Sequence, residues 1–193
     1  PTAAQPCSSS LEIRGSSLRN NTAAEEGGAL ALRSVAVSLV KTELSGGGAA
    51  RGGALACSGE SSVSLRGSVT SSNAAEEEGG AAFVGDGCVL TATGTEISGN
   101  EAQVRGGGAF VSGGGSLEAD RASFRGNAAR EGGAIFASGG AAFVAARDSN
   151  FTRNEAEESG GGVSVRGSPF EAQGSAFARN KANRGAAIAV VSD

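Results

Sequence analysis

The chain has 193 residues, 20 Asp and Glu against 16 Lys and Arg, no His, and eight Phe as its only aromatic residues. That balance excludes the cationic, ring-lined footprint of a nucleic-acid binder, and it removes the imidazole that a zinc site or a Ser-His-Asp triad needs. Glycine supplies 33 residues and proline only 3, and the glycines recur at set places, so the chain is not a disordered linker.

The first ten residues, PTAAQPCSSS, carry neither an initiator Met nor a signal-peptide pattern, which points to a processed product or a piece of something longer. No run approaches 18 apolar residues, so no transmembrane helix or membrane insertion is expected. From Leu11 the chain begins to repeat itself. Leu11 and Ile13 alternate with polar neighbours, as in a strand with one buried face. Leu18 follows, then Asn21, a charged stretch AAEE, and the block GGALAL from Gly27.

This order returns every 26 or 27 residues. The Asn recurs at Asn73, Asn100, Asn127, Asn154 and Asn180, with Gly47 at the one missing place. Three residues before each stand Leu18, Leu44, Thr70, Ile97, Phe124, Phe151 and Phe177. A third column reads Leu11, Val37, Val63, Leu90, Leu117, Phe143 and Phe170, with Ile13, Leu39, Leu65, Ala92, Ala119, Ala145 and Ala172 two residues on. The Gly-Gly blocks recur at Gly52, Gly79, Gly107, Gly132, Gly160 and, as GAAIAV, at Gly185.

A fixed period with three short apolar strands per unit predicts an all-β, single-stranded parallel β-helix over residues 1–193, one repeat domain of about seven coils. Successive coils would stack about 4.8 Å apart, giving a rod of roughly 34 Å. Residues in one column would then lie above one another. Phe124, Phe151 and Phe177 are predicted to stack, and all eight Phe to fall at or beside inward sites. The Asn column is expected to sit at an αL-tolerant turn and to bond along the rod as an amide ladder.

The segments between Asn and Gly-Gly hold ten of the twenty acidic residues. Glu25, Glu26, Glu76, Glu77, Glu78, Glu155, Glu157 and Glu158 therefore form a candidate partner-binding ridge on a solvated loop, with Arg51, Arg105, Arg130 and Arg184 interposed. Asn20 and Asn150 begin Asn-x-Thr sequons and are candidate glycosylation sites. Cys7, Cys57 and Cys88 form no CxxC pair; one disulfide can be drawn, but the sequence does not pick its members.

Catalysis is not expected. Asp86, Asp120, Asp148 and Asp193 share no column that would make a facing carboxylate pair. The Gly-Gly blocks precede strands, where a phosphate loop needs a helix. Gly85-Asp86-Gly87 is the nearest approach to a calcium-binding nonapeptide, and Thr forms no flat array for ice. No metal, cofactor or small-molecule ligand is predicted.

The paired motifs GGA[ILV] and FxxN, once each per coil, resemble the repeats of the chlamydial polymorphic outer membrane protein (Pmp) family. They are carried by Gly27–Leu30, Gly52–Leu55 and Gly132–Ile135, and by Phe124…Asn127, Phe151…Asn154 and Phe177…Asn180. The resemblance implies a right-handed β-helix displayed at a surface and acting in adhesion. The expected role is thus a non-catalytic structural or interaction rod, extracellular or at the cell surface. The runner-up is a scaffold subunit in a larger intracellular or organellar assembly, and a polysaccharide-active enzyme is a distant third. Bare strand edges at both ends invite association, so flanking coils or protein partners are expected to cover them.

Overall fold

The computed structural model describes residues 9–139 and 142–192; Cys7 and Asp193 lie outside them. The described chain is a β-solenoid without helices, wound into four parallel sheets. Sheet A stacks seven strands: Ser10–Arg14, Ala36–Val40, Ser62–Arg66, Val89–Thr93, Ser116–Asp120, Phe143–Arg147 and Phe170–Gln173. Sheet B stacks Ser17–Arg19, Glu43–Ser45, Val69–Ser71, Glu96–Ser98, Ser123–Arg125, Asn150–Thr152 and Ala176–Ala178. Sheet D runs from Leu30–Arg33 through Leu55–Ser58, Ala82–Val84, Ala109–Val111, Ile135–Ser138 and Val163–Arg166 to Ile188–Val191. Every pairing is between neighbouring coils, as the repeat period requires.

A fourth element departs from the expected three strands per coil. Gly48–Arg51, Ala74–Glu78, Glu101–Ala102, Ala128–Glu131 and Glu155–Ser159 form sheet C, where a charged loop was anticipated. The cause is an alternation built from small residues. Each Asn position is followed two residues later by Ala: Ala49, Ala75, Ala102, Ala129 and Ala156 are buried, and the charged residues between them point out. Alanine gives too weak a hydrophobic signal to mark a strand, but here the space beneath is shallow and a methyl fills it.

The main core is a set of apolar files. Leu39, Leu65, Ala92 and Ala119 lie under sheet A, and Leu44, Ile97, Phe124 and Phe151 under sheet B, each 3% exposed or less. Phe124 and Phe151 stack with ring centroids 4.8 Å apart, and Phe151 and Phe177 with centroids 4.6 Å apart. The sheet A file corrects the sequence alignment in one coil. Val144 and Ala146, not Phe143 and Ala145, pair with Leu117 and Ala119 and then with Phe170 and Ala172. The D-to-A connection is longer before Val144 than before Phe170, and a one-residue slip exchanges the two faces of a strand. Phe143 therefore stands in the outward file with Ser116.

Corners explain the glycines. The residue before each Asn position, from Asn20 through Gly46, Ser72, Gly99, Gly126 and Arg153 to Arg179, has φ between 54° and 64°. The left-handed residue is thus one place earlier than the Asn itself. At the C-to-D corner the first glycine, such as Gly132 with φ 66°, makes the turn. The second glycine lets the coils touch: a Cβ on Gly133 would come within 2.4 Å of the Gly161 carbonyl oxygen.

Cys57, in sheet D, and Cys88, at the next coil's D-to-A corner, form a disulfide with their Cα atoms 5.9 Å apart. Both are buried at 1% exposure or less. Closing a loop of 31 residues stabilises the fold by about 3–4 kcal/mol in the chain-entropy account.

Thr70 is the one polar member of the sheet B file. It is 1% exposed and its hydroxyl has no hydrogen-bond partner. Replacing it with an apolar group of the same shape removes that desolvation penalty. Thr70→Val should raise the unfolding free energy by about 1 kcal/mol in a guanidinium titration; an unchanged or lower value would mean the hydroxyl is paired.

Candidate functional site

The Asn file is an internal amide ladder of five rungs. Asn73 Nδ2 donates to Asn100 Oδ1 at 2.9 Å, Asn100 to Asn127 at 2.9 Å, Asn127 to Asn154 at 3.0 Å and Asn154 to Asn180 at 3.0 Å. Each Oδ1 also accepts the backbone N–H of the preceding rung, and each Nδ2 also donates to the carbonyl of a core residue one coil back, such as Ile97 for Asn127. Asn73, Asn100, Asn127 and Asn154 are 1% exposed or less. Asn is suited to this because one side chain both donates and accepts, so identical copies tile. Asn21 does not join: Gly47, the intervening place, offers only its backbone N–H to Asn73 Oδ1, at 2.8 Å, and Asn21 is exposed.

A second polar file lies at the A-to-B corner and was not anticipated. Thr42, Ser68, Thr95, Ser149 and Ser175 occupy equivalent places and cap backbone groups of the coil behind. The sequence signal was present, because a hydroxyl recurs in phase just before every sheet B strand except Ser123–Arg125, where Ala122 stands in its place.

The predicted acidic ridge divides into three environments. Directly before each Gly-Gly corner stands a file of Glu26, Arg51, Glu78, Arg105, Glu131, Ser159 and Arg184, bridged coil to coil. Its charges alternate. Arg51 meets Glu26 at 2.6 Å, Arg105 meets Glu78 at 3.2 Å and Glu131 at 3.8 Å, and Arg166 reaches Glu131 at 2.8 Å. Glu131 is only 6% exposed. Burial pushes the Glu78 carboxyl above its ordinary range, outweighing the opposing effect of Arg105.

Beside this file runs a second aromatic ladder on the outer side of sheet D. Phe83, Phe110 and Phe136 stack at 5.5 Å and 5.8 Å in a cluster separate from the main core. They were expected inward; the register instead turns Ala82 and Val84 in and Phe83 out. Arginine guanidiniums lie over the two outer rings of this ladder, with Arg51 4.9 Å over Phe83 and Arg105 5.2 Å over Phe136. Such cation–π contacts keep a Phe file dry on an outer face.

The remaining acids form exposed patches on sheet C. Glu76 and Glu77 lie in one coil and Glu155 and Glu157 three coils further on, with Glu25 near the first coil. The outward file reads Gly48, Ala74, Glu101, Ala128, and two shallow grooves open over its small residues, one from Thr22 across Gly48 and Ala74 to Gln103 and one between Glu101 and Glu157. Lys181 pairs with Glu155, and Arg130 with Glu158 at 3.5 Å. The ridge is therefore not one continuous surface. Asn20 and Asn150 are both exposed, at a corner and on the outer face of sheet B. Among the described residues no three Cys, Asp or Glu side chains converge as a metal site.

Residues 121–138, RASFRGNAAREGGAIFAS, match the Chlamydia polymorphic membrane protein repeat. The match takes in Phe124, Asn127 and the Gly132–Ile135 block, which are a stacked ring, an amide rung and a corner. No curated protein and no solved structure matches the chain. The chain is a parallel β-solenoid. One stretch of it, residues 121–138, is similar to the Chlamydia polymorphic membrane protein repeat.

Two outcomes test these ladders. Asn127→Ala orphans the Asn100 donors and the Ile97 carbonyl and should cost about 3 kcal/mol or more, whereas Asn21→Ala should stay within about 0.5 kcal/mol; equal effects in chemical denaturation would contradict the ladder. For Glu78, whose folded pKa is raised above the ordinary 4.5, ionisation is disfavoured in the folded state. Its contribution to stability improves as pH falls through the raised pKa toward 4.5. Glu78→Gln should remove that part of the pH dependence; a curve that overlays the parent's would contradict it.

Proposed function

We propose that this chain is a non-catalytic interaction rod, an adhesin-like segment displayed outside the cell or at its surface. Two things support the reading. Residues 121–138 are similar to a membrane-protein repeat, and the buried Cys57–Cys88 bridge suits an oxidising compartment, where disulfides persist. Apart from the Thr70 hydroxyl, the Asn and Ser/Thr side chains of the inward polar files are hydrogen-bonded within the stack, which leaves binding to the outer faces. Sheet C, with its acidic patches around Glu76–Glu77 and Glu155–Glu158 and the two grooves beside them, is the face we assign to protein partners. Opposite charge on the partner would speed encounter and set register. Asn20 and Asn150 would take glycans only in a host whose secretory pathway adds them.

In source cells, a membrane-impermeant amine reagent should label the native protein, and non-reducing mass spectrometry should recover Cys57 and Cys88 as one linked peptide pair. An unlabelled protein with both thiols free would overturn the surface reading in favour of an intracellular scaffold. Beads coated with the chain should bind intact cells saturably, and reversal of Glu155, Glu157 and Glu158 to Lys should weaken binding by about fivefold or more. Adhesion no greater than that of albumin-coated beads would remove the adhesive role.

A further inference from the structure

The outer file of sheet D reads Ala31, Ala56, Phe83, Phe110 and Phe136, one residue per coil. Three rings stack, and toward the earlier coils the file turns to alanine. Arg51, which belongs to the coil of Ala56, fills the first level after the rings. Its guanidinium lies 4.9 Å from the centre of the Phe83 ring, about the spacing of one coil. Glu26, one coil earlier, holds it there at 2.6 Å. The level after that lies over Ala31, whose side chain is a single methyl and is exposed. A cavity of about 490 Å³ opens at this place on the outer face, within the range of ligand pockets. Ala31, Arg51 and Phe83 line it on the sheet, and Arg33, Ser58 and Asp86 line it at the D-to-A corner.

We propose that this cavity receives an aromatic side chain of a partner protein, stacked on Arg51 over Ala31 as the next flat member of the ladder. A guanidinium between two rings is attracted by the face of each, and Arg51 reaches that arrangement without leaving Glu26 or Phe83. Its side chain is 40% exposed, so it can meet a ligand. The corner wall supplies what the peptide bearing such a ring needs: Arg33 can donate to a carbonyl, Asp86 can accept an N–H, and the Ser58 hydroxyl can do either. A ring seated in a pocket of this kind is the usual anchor of a protein interface. A sugar, the other class of ligand that stacks on rings, finds no open ring face here. Phe83 is 8% exposed, with Phe110 against one side and Arg51 over the other. The site lies on sheet D, away from the acidic patches of sheet C, and stands whether or not the chain is adhesive.

The chain has no Trp and no Tyr, so the indole of N-acetyltryptophanamide is a clean fluorescent probe, and amide NMR of the parent chain locates where it binds. The probe should bind saturably, with half-saturation at about 1 mM or below, and should shift the amides of Ala31, Arg33 and Ser58. N-acetylleucinamide and methyl glucoside should each bind about tenfold or more weakly, because neither offers a π face to Arg51. Ala31→Phe sets a ring of the chain's own in the slot and should weaken probe binding by about tenfold or more. The proposal is overturned if the probe fails to saturate or shifts only sheet C amides, if the leucine amide or the sugar binds as well as the indole, or if Ala31→Phe binds like the parent.

Discussion

Hydrogen bonding between coils in one fixed register is the constraint from which the rest of this molecule follows. Once strands of successive coils pair residue for residue, each side chain has its own counterpart directly above and below at strand spacing. A residue type is then admissible only if it tolerates its neighbours in the file. Leucine and phenylalanine do so by dispersion and burial. Asparagine does so because its amide is complementary to itself, as the run from Asn73 to Asn180 shows. A single sign of charge does not: like charges about 5 Å apart cost roughly 1 to 3 kcal/mol at effective dielectric constants between those of water and a protein surface. The file from Glu26 to Glu131 therefore alternates Glu and Arg.

Corners supply the second half of the account. Each turn is made by a left-handed residue, and several of these are not glycine, including Lys41, Arg121, Asp148 and Arg153. Their strain of about 1 kcal/mol each is borne because the stacked strands on both sides hold the corner in place. The C-to-D corner is stricter. There the backbone of one coil lies against the carbonyls of the next, and the Gly-Gly pair answers both a torsional and a steric demand. The disulfide ties one such coil to its successor at a place where the connecting turn varies in length.

Much of this was legible in the sequence. The stacked file of Phe124, Phe151 and Phe177, the period and the parallel architecture follow from residues whose burial cannot be satisfied otherwise. What was not legible shares a common cause: reading along the chain instead of across coils. Sheet C was hidden because Ala75, Ala102 and Ala129 are weak hydrophobic markers beside conspicuous glutamates. Phe83, Phe110 and Phe136 were assigned inward because an exposed aromatic file is unfavourable, and only the covering Arg51, Arg105 and Arg166 make it stable. The alternating charges become visible when the residue before each Gly-Gly is read as a column. Phe143 was misplaced by a single residue of turn length, a slip that no pattern within its own strand reveals. For the candidate interaction face the sequence identified the acidic residues but not their separation into patches, which depends on which coil carries Ala or Glu at a given file.

If the files are the organising unit, the repeat is a physical module. Deleting residues 101–127 joins Asn100 to Ala128 and removes one whole coil, placing Phe83 under Phe136 and Asn100 under Asn154 in the same register. The account predicts that this shortened chain unfolds cooperatively in guanidinium with an m-value lower by about one-seventh, while a deletion of half a coil from the same point leaves an unfolded chain. If the full-coil deletion were as disordered as the half-coil deletion, the claim that like side chains stack once per period would be contradicted.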